Sequence, residues 1–194
     1  MLWLLGMCSS DDGAAAYVDS AAAAGRDGSA WTAHATERDS APYRSMFAVA
    51  TEDIGAATQA AEVALHLMFR RVIKATDAAN ADAMANPDRV IASFGMVRHP
   101  DLDHVDSDAH WRDRHGPLAL RSHLAMCDYE QFSILTTLHG TPLDGVAMCA
   151  FPDRGTLSTD FFNDDEAKAA IIADVASFAD TRASLPRVVL SQTR

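Results

Sequence analysis

The fold of this 194-residue chain is constrained above all by an order of predicted strands and helices that occurs twice. A continuous apolar run over residues 2–8 predicts a buried strand. Further elements of the first half are predicted as a helix, two strands and a long helix capped by Asp53, over 11–24, 30–37, 45–51 and 53–74. An alanine-rich stretch to residue 87 either extends that helix or connects the halves.

The second half repeats this order from residue 89. We predict strands at 89–97, 129–139, 145–151 and 187–191 and helices at 107–115, 117–124 and 163–179. Phe94-Gly95-Met96 repeats the position of Leu5-Gly6-Met7 in the first strand. Such a unit folds into an antiparallel α+β sheet with helices on one face, and two sheets can pack face to face or close into a barrel. The predicted repeats span residues 1–85 and 86–194.

The richest cluster of chemical groups lies at 110–119, where two histidines and a tryptophan precede a Gly-Pro pair. Proline lacks the N–H for a helical bond and crowds the carbonyl of Asp113, so we predict that the helix, capped by Asp106 or Ser107, breaks here. A second helix then starts at Pro117. His115 would lie at the corner and face a cavity.

These residues resemble the hallmark of the EthD family. The blocks that match, in order, are His110-Trp111, His115-Gly116-Pro117-Leu118-Ala119, Tyr129-x-Gln131, Phe161-Phe162, and Asp174 with Phe178. The resemblance covers about residues 89–194 and implies a dimeric α+β barrel of ferredoxin-like units. The first half would then be a degenerate second repeat, so that one chain supplies the whole barrel and carries a single site in its second half. The family includes companions of ether-degrading oxidation systems and cofactor-free dehydratases or lyases that act on aromatic polyketides.

His115 is the predicted acid–base catalyst, because imidazole titrates near neutral pH. The alternative is that it caps the broken helix. His110 comes five residues earlier, about 140° around an α-helix, so the two rings should not share a face. His110 either contacts substrate as a second catalytic group or packs under the corner.

Alternate residues of the strand after the helices share one face: Tyr129, Gln131, Ser133, Leu135, Thr137 and His139. If this face looks into a cleft, Tyr129 donates to a developing oxyanion and Gln131 orients substrate. A partly solvated outer face is the alternative. The remaining predicted substrate contacts are Trp111, Arg114, His139, Asp174 and His34. Trp111 also fits a core position, and Asp174 could hold a histidine or arginine in place.

We predict no metal site and no cofactor. The acidic loop 99–108 lacks the glycine and terminal glutamate of an EF-hand, and the chain contains no dinucleotide, phosphate-loop or nucleophile-elbow motif. A net charge of −11 argues against nucleic-acid and anionic-membrane partners. Three scattered cysteines indicate reduced thiols and a cytoplasmic protein.

The function expected from these residues is that of a cofactor-independent lyase, either a dehydratase, a cyclase or a carbon–carbon-cleaving enzyme. Its substrate would be a hydrophobic, aromatic or carbonyl-bearing small molecule. Two alternatives stay open, a cofactorless oxygenase and a non-catalytic binding protein of an aromatic or ether oxidation pathway. Association of the chain into a homo-oligomer is also open.

Overall fold

The computed structural model describes residues 2–50, 53–75 and 80–193. The strands are β1 Trp3–Cys8, β2 Gly28–Ala33, β3 Ser45–Val49, β4 Ala64–Lys74, β5 Val90–Met96, β6 Asp128–His139, β7 Gly145–Phe151 and β8 Val188–Gln192. The helices are α1 Gly13–Ala23, α2 Ile54–Ala60, α3 Ala81–Ala85, α4 His104–His110, α5 Gly116–Ser122, α6 Arg154–Thr159 and α7 Asp165–Phe178. A π-helical turn, Trp111–His115, joins α4 to α5. Thr51 and residues 76–79 of the predicted third strand and connector lie outside the described residues.

Hydrogen bonds join the strands into a closed barrel in the order β1-β3-β2-β8-β5-β7-β6-β4. Starting from β4, each repeat contributes the order 4-1-3-2, as in a ferredoxin-like sheet. The predicted similarity between the halves extends to strand pairing, since Gly6 of β1 pairs with Phe47 of β3 and Gly95 of β5 pairs with Val146 of β7. The predicted α+β barrel of tandem ferredoxin-like repeats is therefore confirmed.

Two compact units can be distinguished within the chain. One is drawn from residues 1–70, 132–142 and 188–194, and the other from 71–131 and 143–187. The predicted boundary between residues 85 and 86 stays a prediction. None of the helices in the described ranges has the length and apolar character needed to cross a bilayer.

The first unit packs α1 against β2 and β3 over an apolar core that includes Leu4, Phe47 and Leu65. Gly6 is required there, because a Cβ at this position would lie 2.1 Å from the Phe47 ring. Asp53 caps α2 as predicted, accepting a hydrogen bond from the Ala56 N–H.

The long helix predicted over 53–74 is wrong beyond Ala60. Residues Ala64–Lys74 form β4 instead, which pairs with β1 from Trp3↔Met68 to Met7↔Ala64. The apolar spacing that favoured a helix also fits a strand, and the ladder to β1 decides between them. The short helix α6 was not predicted.

In the second unit, the helix start predicted at Asp106 or Ser107 is also wrong. Asp103 caps α4 three residues earlier, where its carboxylate accepts the Asp106 N–H. Gly-Pro does not break the helix either, because Gly116 keeps helical dihedrals and donates its N–H to the Trp111 carbonyl five residues back. At this point the backbone hydrogen bonds change from the i→i−4 pattern of an α-helix to the i→i−5 pattern of a π-helix. Pro117, which has no backbone N–H, follows directly.

His66 of β4 is a buried histidine that no sequence pattern singled out. Its Nδ1 lies 3.0 Å from Thr137 Oγ1, while its Nε2 has no partner among the described residues. Burial, with a smaller contribution from His139, lowers its pKa from 6.5 to about 4.

This histidine should make stability pH-dependent. In the unfolded chain His66 takes up a proton as the pH falls below about 6.5, whereas in the folded chain it does so only near pH 4. The free energy of unfolding therefore falls between these pH values, by at most about 3 kcal/mol. We expect His66→Asn to flatten the slope of urea-unfolding free energy between pH 7 and 4.5. His34→Asn, at a half-buried histidine, serves as control, and an unchanged slope in His66→Asn would contradict the assignment.

Candidate active site

The π-helical turn brings His110 and His115 to one carboxylate. Asp174 of α7 holds both rings, with Oδ1 2.8 Å from His110 Nε2 and Oδ2 2.8 Å from His115 Nδ1. The expectation that the two histidines lie on different faces is wrong, because a π-turn places residues five apart above one another. Asp174 thus takes the role foreseen for it, holding a histidine in place.

This His110–Asp174–His115 cluster is largely removed from solvent. The side chains are only 17%, 17% and 11% exposed in that order. Phe178, one turn after Asp174 on α7, packs on both rings, with centroids 5.0 Å from His110 and 5.2 Å from His115. Ring packing and the shared carboxylate together fix the orientation of both imidazoles.

His115 forms part of the wall of an apolar cavity of about 360 Å³. Apolar side chains make up most of the wall, among them Phe94, Met96, Trp111, Phe161, Phe162 and Phe178. Pockets of this size and character bind small organic molecules. His110 lies on the other side of Asp174, in an outer groove that also contains Arg114 and Ser177.

The tautomer of His115 follows from its partner. A carboxylate only accepts hydrogen bonds, so Nδ1 carries the proton and Nε2 keeps its lone pair. Among the described residues, His115 Nε2 takes part in no hydrogen bond. Burial lowers the pKa of His115, and Asp174 opposes that shift by stabilising the imidazolium. The Asp174 carboxylate can therefore balance the positive charge of His115 when Nε2 takes up a proton.

Tyr129 lines the same cavity and is fully buried. Its hydroxyl oxygen accepts a hydrogen bond from Gln131 Nε2 at 3.0 Å and a second from the Trp111 side chain. Burial raises the pKa of this phenol. Both of these partners donate, so the phenol keeps its own proton as a hydrogen-bond donor, as the oxyanion role requires.

Gln131 lies behind this wall and does not line the cavity. It is completely buried, and its Nε2 also donates to the Trp111 carbonyl at 3.0 Å. That carbonyl is the acceptor of the π-turn, so Gln131 positions the turn and the phenol. Trp111 forms part of the cavity wall, and the Arg71 guanidinium packs over its indole, 5.6 Å from the ring centroid.

The three remaining predicted contacts lie away from the cavity. Arg114 borders the outer groove near His110. His139 and His34 belong to the first unit, where His34 Nδ1 lies 3.0 Å from Thr36 Oγ1.

His123 is the cavity residue that sequence reasoning missed. It is 5% exposed, lies directly after α5 and lines the cavity together with His115 and Ala119. The spacing 115, 119 and 123 marks one face of a helix and could have revealed it. Within the described ranges, no group of three or more His, Cys, Asp or Glu side chains is arranged to hold a metal ion.

Comparison with known proteins gives two findings. The model of the EthD domain matches residues 99–182, which include the π-turn, His123, Tyr129 and Asp174. A solved structure titled "Crystal structure study of anthrone oxidase-like protein" matches with a TM-score of 0.57 at 8% identity, covering 100% of this chain and 90% of that one. No curated protein matches the sequence. The match to the EthD domain model spans residues 99–182, and His115, His123, Tyr129 and Asp174 of the candidate active site lie within it.

Proposed function

We propose that this chain is an acid–base enzyme, a lyase that acts on a hydrophobic, carbonyl-bearing small molecule. One observation carries the proposal: His115 presents an unbonded Nε2 to an apolar cavity while a buried carboxylate holds its Nδ1. An imidazole supported in this way accepts a proton and releases it again near neutral pH, which contributes about 10²–10⁴-fold to a rate.

The other cavity groups suit the same chemistry. Removing a proton from a carbon next to a carbonyl places negative charge on the carbonyl oxygen, and the Tyr129 phenol is positioned to donate to it. The apolar wall of aromatic rings fits an aromatic or alicyclic body and keeps water from the reacting carbon. Asp174 balances the charge of the imidazolium form.

A cofactor-independent oxygenase is the second candidate. The structure with the same fold is named anthrone oxidase-like, and a deprotonated electron-rich aromatic ketone is also the species that reacts with oxygen. Proton abstraction by the cavity base is the first step of both reactions, so the two differ in whether oxygen is consumed.

The test is a thermal-shift screen of wild type against aromatic ketones and β-hydroxy ketones, with mass detection of products and an oxygen electrode. We expect a compound that stabilises wild type and His115→Ala alike but is converted by wild type alone. His34→Ala is the matched control and should convert it normally.

Each other outcome selects a different function. Oxygen uptake with turnover would identify the oxygenase. Stabilisation without conversion by wild type would identify a binding protein, and full turnover by folded His115→Ala would refute the role of His115. His115→Gln, which keeps a polar side chain, replaces the alanine variant if that one unfolds.

A further inference from the structure

A second imidazole faces the cavity of the proposed enzyme, and its setting differs from that of His115. His123 Nδ1 is hydrogen-bonded to the Phe161 carbonyl oxygen. Its ring packs between Phe161 and Phe162, with centroid distances of 4.6 and 5.1 Å. These contacts fix the orientation of a ring that lines the cavity, and they leave Nε2 without a partner among them.

The hydrogen bond also fixes the tautomer. A carbonyl oxygen can only accept, so Nδ1 carries the proton and Nε2 has the lone pair. No hydrogen bond of His123 Nε2 occurs within the described ranges, nor is that atom sealed from solvent. Two histidines thus line the cavity, each held through Nδ1 and each with an unbonded Nε2.

The two imidazoles differ in how well their surroundings stabilise the protonated form. His115 is backed by the Asp174 carboxylate, which stabilises an imidazolium, whereas His123 is backed by a neutral carbonyl. Charge on His115 opposes charge on His123, so the pair takes up one proton before two. Tyr129 and Cys149, the other titratable groups of the wall, stay protonated because burial raises the pKa of both. Paired titratable groups in unequal settings divide the acid and base roles.

Resting on the function proposed above, we propose that His123 is the base and protonated His115 the acid of an elimination that removes water from a β-hydroxy carbonyl compound. His123 Nε2 reversibly takes the proton on the carbon next to the carbonyl, which leaves an enolate, and the electron pair of the enolate then forms the carbon–carbon double bond. The bond from the β-carbon to oxygen breaks as His115 Nε2 gives its proton to the departing hydroxyl. Water leaves, no oxidant or reductant is needed, and one positive charge passes from His115 to His123.

Deuterium exchange separates the two roles. The probe is 4-hydroxy-4-phenylbutan-2-one in D₂O, followed by NMR for exchange at the carbon next to the carbonyl and by absorbance for the conjugated product. His115→Gln should keep the exchange but lose dehydration by about 100-fold or more, whereas His123→Gln should lose both. His104→Gln, at a half-buried histidine outside the cavity, should match wild type.

Exchange that survives in His123→Gln but disappears in His115→Gln would overturn the assignment by reversing the roles. His123→Phe, which keeps an aromatic ring against Phe161 and Phe162, replaces the glutamine variant if that one unfolds. Wild type that neither exchanges nor dehydrates the probe would overturn the proposed elimination. The acid–base function itself would still stand if wild type, and not His115→Ala, converts another ketone of the screen.

An independent measurement needs no substrate. Histidine ring ¹⁵N spectra should show His123 as the Nδ1–H tautomer. The pKa of His123 should rise in His115→Gln, because the opposing charge is gone. An Nε2–H tautomer for His123 would refute its role as base.

Discussion

Replacing Asp174 by asparagine should lower turnover by about 10²–10⁴-fold without unfolding the protein. The carboxylate accepts hydrogen bonds from both histidine rings, at 2.8 Å each, and balances charge on either of them. An amide of the same shape keeps the packing but brings an NH₂ group that donates. Where that group faces His115 Nδ1, the ring proton moves to Nε2, and the lone pair is lost from the cavity.

Turnover of the compound found in the screen, with circular dichroism to confirm folding, measures this effect. Asp165→Asn, an exposed carboxylate in the first turn of the same helix, is the matched control and should stay within a few-fold of wild type. Histidine ring ¹⁵N spectra should show His115 as the Nδ1–H tautomer in wild type and changed in Asp174→Asn. Equal activity of the two variants would mean that the carboxylate has no part in the reaction.

Trp111→Ala should lower the free energy of unfolding by about 3–5 kcal/mol, the usual cost of removing a fully buried tryptophan. The side chain is 2% exposed, and its six-membered ring lies so close to Gly145 that a Cβ there would be 2.5 Å from it. Arg71 lies over the ring and forms an ion pair with Asp108, with one hydrogen bond of 2.9 Å. Removing the indole therefore removes core packing, the cation–π contact with Arg71 and one wall of the cavity.

Trp3→Ala is the matched control for this prediction. Trp3 also has an arginine over its ring, Arg70 at 5.0 Å, but it is only partly buried. Urea unfolding at pH 7 should show less than half the loss for Trp3→Ala, and Trp111→Phe should recover part of the packing. Similar losses for Trp3→Ala and Trp111→Ala would show that the indole of Trp111 does not anchor the core of the second unit.

Local chemistry determined most of the elements correctly. The apolar runs of β1, β5 and β7 predict strands buried on both faces, and all but one residue of each strand is buried. Asp164 lies at the start of the helix predicted at 163–179 and caps α7 by accepting the Ala167 N–H. A short carboxylate reaches the unpaired N–H groups of a helix start without help from the rest of the fold. The repeated order of these elements predicts two α+β units, and the family resemblance implies that they close into a barrel.

Local chemistry also pointed to the chemical groups themselves. His115, Tyr129 and Trp111 line the cavity, and Asp174 holds the His115 ring, as their residue types and the family resemblance indicated. What the sequence determined is thus which residues form the candidate site and in which half of the chain they lie.

Tertiary structure decided the rest, because it depends on partners distant in the chain. Residues 64–74 fit a helix or a strand equally until β1 supplies a ladder of backbone hydrogen bonds. The change from α- to π-helical bonding at Trp111 is held by the Gln131 amide, twenty residues away, and that change alone puts His110 and His115 on one carboxylate. His123 became part of the site only when the Phe161 carbonyl fixed its ring against the cavity. Periodicity places a side chain on a face, but contacts with other elements decide what that face meets.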